Sequence, residues 1–253
     1  MDHLRLRPGY VAVRRDDRHL QVGIDPPHRA VVPDTAGVRR LLTDLTAGRA
    51  APPEDPVAHR ALDELRAAGL VTSAATAPPA PVSYDGPPDL VEEFRSLIGP
   101  TDPAAARIVV LLSPGPLPRE RTDPLVRAGT PHLVVEGAPD AWTVGPLVVP
   151  GVTACLRCVD AARGETDPRR GLVLGQVARS RVQAHDRLLR AVALPWAARE
   201  ALVYAAGERP TAWSATTTFR RTGPVEETSW PRHPHCGCAW DLIPVRPPSP
   251  GVG

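Results

Sequence analysis

The sequence predicts a mixed α/β protein, α+β overall, in which a small N-terminal module precedes a larger domain built on parallel strands. Three observations carry this prediction. Across the first seventy residues, apolar alternation of period two gives way to apolar spacing of three to four. Further on, the apolar runs Arg107-Ile108-Val109-Val110-Leu111-Leu112 and His132-Leu133-Val134-Val135-Glu136 flank a short helical pattern at 123–128. Continuous runs of this kind mark parallel strands buried on both faces and joined by a crossover. Between the two zones, residues 74–88 are rich in Ala, Pro and Ser and read as a linker. The predicted organisation is a module at 1–73, a linker at 74–88, a domain at 89–243 and a proline-rich, disordered tail at 244–253.

Within the module, Tyr10-Val11-Ala12-Val13-Arg14 and Leu20-Gln21-Val22-Gly23-Ile24 alternate as strands around the polar turn Arg15-Asp16-Asp17-Arg18. A third extended piece, Arg29-Ala30-Val31-Val32, follows the Pro26-Pro27 turn. Asp34 is then a candidate N-cap for a helix carrying Val38, Leu41, Leu42 and Leu45, which Gly48 stops. A second helix presents Val57, Ala61, Leu62 and Leu65 on one face and ends at Gly69. Three small strands followed by two or three helices describe a winged-helix-like module.

In the larger domain, a short helix is expected at 90–98, before the first apolar run. Residues 142–150 read as a hairpin, 172–189 as a long helix, and 196–206 as another helix. A second hairpin is expected from the alternating stretches 213–222 and 225–230.

Net charge is +2, and all 30 basic residues are arginine. No lysine is therefore available to bind phosphate, form a Schiff base or act as a general base. A balance this near neutral gives no support to nucleic acid as partner. Residues 1–18 alternate charged and apolar residues without an apolar core, and no run of about 18 apolar residues occurs. No signal peptide or membrane span is expected, and a cytoplasmic location follows.

The four cysteines fall into two tight pairs, Cys155-Leu156-Arg157-Cys158 and Cys236-Gly237-Cys238. In a reducing compartment such pairs read as metal ligands or catalytic thiols before disulfides. One pair supplies two sulfurs to a tetrahedron and the other closes it, which suits zinc. Four thiolates leave no open position for water, so the site is expected to be structural. His233 and His235 flank the second pair and either could replace one thiolate, although supporting or solvent-facing roles fit them better.

The stretch Val144-Gly145-Pro146-Leu147-Val148-Val149-Pro150-Gly151-Val152-Thr153-Ala154-Cys155-Leu156-Arg157-Cys158, with the distant His233-Pro234-His235-Cys236-Gly237-Cys238, resembles the zinc-knuckle region of the ThiF/E1-like superfamily. It is most similar to the cyclodehydratase partner proteins that bind precursor leaders beside YcaO enzymes. The module at 1–73 resembles, in size and order of elements, the PqqD-like recognition element of those proteins. The resemblance implies a truncated E1-like domain with a four-cysteine zinc knuckle, in a scaffold for azol(in)e or thiopeptide biosynthesis. It further implies that a leader peptide adds as a strand along Arg29, Ala30, Val31 and Val32 and packs against Val57, Arg60, Ala61 and Glu64. The implied partners are the precursor peptide and a YcaO-type cyclodehydratase, with homodimers of the kind that E1-like folds often form.

Departures from that pattern point away from catalysis. A Gly-x-Gly-x-x-Gly loop, whose amides would cradle ATP phosphates, is missing. Gly115 is boxed in by Pro114 and Pro116, which remove amide donors. The interval before Ile108 reads as too short for a nucleotide-binding βαβ unit. No ATP and no catalytic residue are expected; His185-Asp186 reads as an exposed helical pair. Three alternatives stand beside the scaffold reading. An adenylating enzyme for a carrier protein or peptide shares the knuckle. A winged-helix DNA-binding regulator shares the module, but residues 1–75 hold eleven arginines against ten acidic residues. A thiol redox protein would use Cys155 and Cys158, against which stands the expected hairpin, rather than a helix N-terminus, beside them.

Overall fold

The computed structural model describes residues 3–74, 79–180 and 186–238. The expected tail at 244–253 and His185 lie outside the described residues. The chain divides into two compact units, 1–78 and 79–253.

The first unit runs β1 (Leu4–Leu6), β2 (Ala12–Arg14), β3 (His19–Val22), β4 (Ala30–Pro33), α1 (Ala36–Thr46), α2 (Pro56–Ala67) and β5 (Val71–Ser73). Strands β2, β3 and β4 form an antiparallel sheet, with Gln21 opposite Val31 and Val22 opposite Ala30. A separate two-stranded ribbon sets Leu6 of β1 opposite Val71 of β5. That ribbon was not expected, because neither three-residue strand is long enough to show alternation. Thr35, one residue beyond the expected Asp34, caps α1 by accepting from the Val38 amide. Asp34 instead takes Arg39, with Nη2 donating to Oδ2 at 2.7 Å. Asp55 caps α2 and Pro56 fills its first turn, where a missing amide costs nothing. The apolar spacing places Val38, Leu41, Leu42 and Leu45 of α1, and Ala58, Ala61, Leu62 and Leu65 of α2, in one core beneath Val22, Ala30 and Val32.

The second unit runs β6 (Val82–Asp85), α3 (Pro88–Ile98), β7 (Ile108–Ser113), α4 (Asp123–Arg127), β8 (His132–Ala138), β9 (Ala141–Val148), α5 (Leu156–Thr166), α6 (Arg170–Arg179), α7 (Arg187–Ala205), β10 (Ala215–Arg220) and β11 (Glu226–Ser229). Its six-stranded sheet has the order β11-β10-β9-β8-β7-β6. Strands β6, β7 and β8 are parallel, and β9, β10 and β11 alternate in direction, so the sheet is mixed. Helices α3 and α7 cover it with Leu90, Phe94, Ala193, Leu194, Ala197 and Ala201.

Four expectations need correction. The stretch 74–88, read as linker, contains β6, so the interval before Ile108 does hold a βαβ unit (β6–α3–β7). Its connection carries Gly86, where a Cβ would lie 2.7 Å from the Leu112 carbonyl oxygen, followed by Pro87 and Pro88. These prolines strip amide donors from the start of α3, the place where doubly wound folds bind phosphate. The expected hairpin at 142–150 is instead the single strand β9, whose hairpin partner is β8. Gly145-Pro146 mimicked a turn; Gly145, at φ 102°, lets the chain pass against Ala215 at a register shift. Finally, residues 172–189 are not one helix. Asp186 starts α7 anew by accepting from the Leu188 and Leu189 amides, and α7 then runs through Pro195 into the expected second helix.

Candidate functional site

Strand β9 delivers the chain to the cysteine centre. Beyond it, Thr153 Oγ1 accepts from the Val149 amide at 2.7 Å and donates to the Leu147 carbonyl at 3.1 Å, closing the loop tightly. The Ala154 amide donates to Ser214 Oγ at 2.8 Å, and that hydroxyl donates to the Trp230 carbonyl at 2.8 Å. Ser214 therefore ties the approach to the first cysteine pair to the chain leading into the second. A turn closed by the Cys236 amide on the His233 carbonyl (2.9 Å) then presents Cys236 and Cys238.

The two pairs meet. All four Sγ atoms lie within 4.8 Å of one another. Cys155 is 3.7 Å from Cys158 and 3.6 Å from Cys236, and Cys158 is 3.3 Å from Cys238. A tetrahedron with metal–sulfur bonds of ~2.3 Å has edges of about 3.8 Å. These thiols can thus hold one metal ion, and the soft, four-sulfur donor set fits zinc. Cys155, Cys158 and Cys236 are buried and Cys238 is half-buried.

The charges of the bare thiols are those of a set that a cation would stabilise. The hydrogen bond from Cys155 pulls the Cys158 thiol down to about 4, while the same contact and burial push Cys155 far up. Burial pushes Cys238 up to about 12. So crowded a set does not ionise together without a cation at its centre.

Cys155 is also the N-cap residue of α5, and Cys158 lies in the first turn. The pair therefore sits at a helix N-terminus, which corrects the sequence-based expectation. The helix dipole stabilises thiolate there, for a metal as for redox chemistry. His233 is buried and engaged on both ring nitrogens, Nε2 with Glu165 Oε1 at 2.9 Å and Nδ1 as acceptor from the His235 amide at 3.2 Å. It props the turn and is not among the four ligand atoms that cluster there.

The residues expected to meet a peptide lie on β4 and α2. Strand β4 pairs with β3 alone among the described residues, so one of its edges carries no strand. Ala30 and Val32 point into the core, Arg29 is exposed and Val31 half-buried. On α2, Arg60 and Glu64 are exposed and Val57 is half-buried, whereas Ala61 is a core residue with 1% exposure.

One buried polar cluster escaped the sequence reading. Arg119 donates to both oxygens of Asp160 (2.6 and 2.8 Å) and to Glu136 (2.8 Å), with all three side chains at most 20% exposed. Its members are 17 and 41 residues apart, and no local pattern announces them.

The fold and the site define a two-unit protein whose mixed sheet carries a four-cysteine knuckle. No protein-family model matches the chain, and no curated protein is significantly similar to it. Solved structures are. The heterocyclase TruD superposes with a TM-score of 0.70 at 18% identity, covering 94% of this chain and 43% of TruD. A heterocyclase in complex with substrate and cofactor gives 0.70 at 15%, covering 94% of this chain and 39% of its own. MccB of E. coli with AMPCPP and MccA gives 0.57 at 13%, covering 94% and 99%. At these identities the likeness is one of fold. The chain spans less than half the length of the two heterocyclases it matches. No helix among the described residues is long and apolar enough to cross a membrane.

Proposed function

We propose that this protein is a non-catalytic scaffold that binds the leader of a ribosomally made precursor peptide and presents its core to a partner YcaO-type cyclodehydratase. The observation that carries the reading is the strand-free edge of β4 beside α2, in a unit with its own core. An extended peptide adding there gains main-chain hydrogen bonds from the strand and side-chain contacts from Val57, Arg60 and Glu64. Arg29 and Arg60 give that edge cationic groups suited to acidic residues of a leader. The similar folds of a heterocyclase with substrate and of MccB with MccA support a peptide as ligand. Zinc in the four-thiolate site would act as a structural staple, with no position left for substrate.

Holding a leader raises the local concentration of the attached core at the partner's active site to the order of millimolar. The scaffold thus lowers the partner's apparent KM without supplying a reacting group. Pro87 and Pro88 at the start of α3 support an ATP-independent role. Fluorescence-anisotropy titration of labelled leader peptides against the zinc-loaded protein tests this reading. Micromolar or tighter binding, weakened at least tenfold by the charge reversals Arg29→Glu and Arg60→Glu, is the expected result. ATP–pyrophosphate exchange by the protein alone would instead favour the adenylating reading.

A further inference from the structure

We propose that the outer face of α7 pairs with the same face of a second copy of this chain, antiparallel about Pro195. The case begins with the composition of the helix. Its inner face puts Leu189, Ala193, Leu194, Ala197, Ala201 and Ala205 into the core of the second unit. Its outer face is apolar as well. Leu188, Val192 and Leu202 are 79%, 49% and 38% exposed, and Ala191 and Pro195 lie exposed between them. At about 3.6 residues per turn, these five positions and Arg199 fall within about 100° of arc. They form one stripe about 21 Å long. A helix apolar on both faces is ordinarily an interior one, so the stripe calls for a cover.

The stripe is complementary to itself. A two-fold axis through Pro195 brings Leu188 against Leu202 of the other copy, since each stands seven residues from the proline. The same axis sets Ala191 opposite Arg199, each four residues away. Pro195 has no amide, so the Ala191 carbonyl lacks the donor that a helix supplies. Arg199 gives Nη1 to Glu200 at 2.6 Å, which leaves its other N–H groups to donate across the axis. Charge fixes the direction. Arg187 begins the helix, and its counterpart eight residues beyond Pro195 is Val203. The Glu208 amide donates to the Val203 carbonyl at 3.1 Å and folds that glutamate back against the helix end. Arg187 and Glu208 are both exposed, and neither makes an ion pair among the described residues. Antiparallel packing brings each to the other. No carboxylate opposes this on the stripe itself, because Glu200, the one acidic residue of α7, is buried.

Apolar against apolar, donor against orphan acceptor and cation against carboxylate are what an isologous contact requires. A single helix pair covers less than the ~800 Å² per partner of stable interfaces, so the dimer is reversible, with a Kd on the order of 10 to 100 μM. The exposed charge pair adds little affinity and chiefly sets orientation. The contact lies on the second unit, uses neither β4 nor α2, and stands or falls independently of leader binding.

Sedimentation velocity of the zinc-loaded full chain, from about 1 to about 500 μM, tests the pairing. A reversible monomer–dimer equilibrium is expected. Leu188→Glu and Leu202→Glu should each weaken it at least tenfold. Both side chains face solvent in the monomer, so thermal midpoint and zinc content should stay as in the wild type. Arg187→Glu and Glu208→Arg should each weaken dimerisation about twofold to fivefold, and the double swap should restore it. Restoration is what antiparallel packing demands, whereas a loss through damaged folding would not be reversed. The proposal is overturned if Leu188→Glu dimerises as the wild type does, or if the double swap is no better than the single changes. It is equally overturned by a wild type monomeric throughout; loss of partner-enzyme binding in Leu188→Glu would then assign the stripe to that enzyme.

Discussion

The two units are held together by different chemistry. Among the described residues, every buried polar or charged residue lies in the second unit: Ser113, Thr122, His132, Thr153, Glu200, Thr216, Thr217, Thr218 and His233. The first unit closes on apolar side chains alone, packed between its sheet and two amphipathic helices. Burial of that kind responds little to pH, to chelators or to modest salt. The second unit adds a thiol cluster, a buried ion-pair network and a neutral buried histidine to its apolar sheet core. Each addition makes it sensitive to a condition that hardly touches the apolar core of the first unit. A unit built from neighbouring elements can be simple, whereas one that brings Cys238 back to Cys158 across 80 residues must tie off that return.

The sharpest separation should come from the metal. Structural zinc sites contribute on the order of 10 kcal/mol of apparent binding free energy, which is folding free energy for the segments they join. Chelation, or Cys158→Ser, should therefore release residues 231–238 and the start of α5. Hydrogen exchange should show the amides of 153–166 and 213–238 losing protection by orders of magnitude, with those of α1 and α2 unchanged. Metal analysis of the purified protein should return one zinc per chain. Unchanged protection around α5 after verified metal loss would mean that the thiols close the knuckle by packing alone.

The reverse perturbation is Leu65→Ala in the first unit. Leu65 is fully buried beside Val38, Leu45 and Leu62. Its truncation should cost that unit about 2–5 kcal/mol, from lost transfer energy and the cavity left behind. The unfolding transition of the second unit, followed through its zinc release, should stay where it is. A common shift of both would show that the two cores melt as one.

What the sequence made legible follows the same division. Period-two and helical spacing located β2, β3, β4, α1 and α2, because in the first unit local pattern and burial coincide. In the second unit, the apolar runs announced β7 and β8, and the tight Cys155–Cys158 and Cys236–Cys238 spacings announced the thiol cluster. Strand β6 was hidden by its proline-rich surroundings, and β9 by Gly145-Pro146, whose turn-like chemistry serves a register shift inside a strand. The Arg119–Glu136–Asp160 cluster was invisible for a different reason. Which guanidinium group captures a carboxylate is decided by tertiary geometry, and no spacing rule encodes it.

The smallest expected effect isolates one buried ring. His132 has no exposed surface, and its Nδ1 lies 2.9 Å from the Thr130 carbonyl, which can only accept. The proton therefore sits on Nδ1, and Nε2 is buried with no partner among the described residues. Burial lowers the pKa of this histidine from its ordinary value of 6.5, with the Thr130 contact opposing it. A group whose folded pKa is depressed contributes stability above its unfolded pKa and loses it as pH falls toward the folded value. Between pH 6.5 and 5.5 the second unit should lose at most about 1 kcal/mol through this ring, because the unfolded chain, half-protonated at the start, takes up a proton that the folded chain refuses. Protons also compete with zinc for thiolates in acid, so the measurement is a difference. Denaturant midpoints of wild type and His132→Leu, each zinc-loaded, should converge as pH falls across that window. Parallel curves would mean that water or a shifted Thr130 solvates the ring, and that the metal alone makes the second unit sensitive to acid.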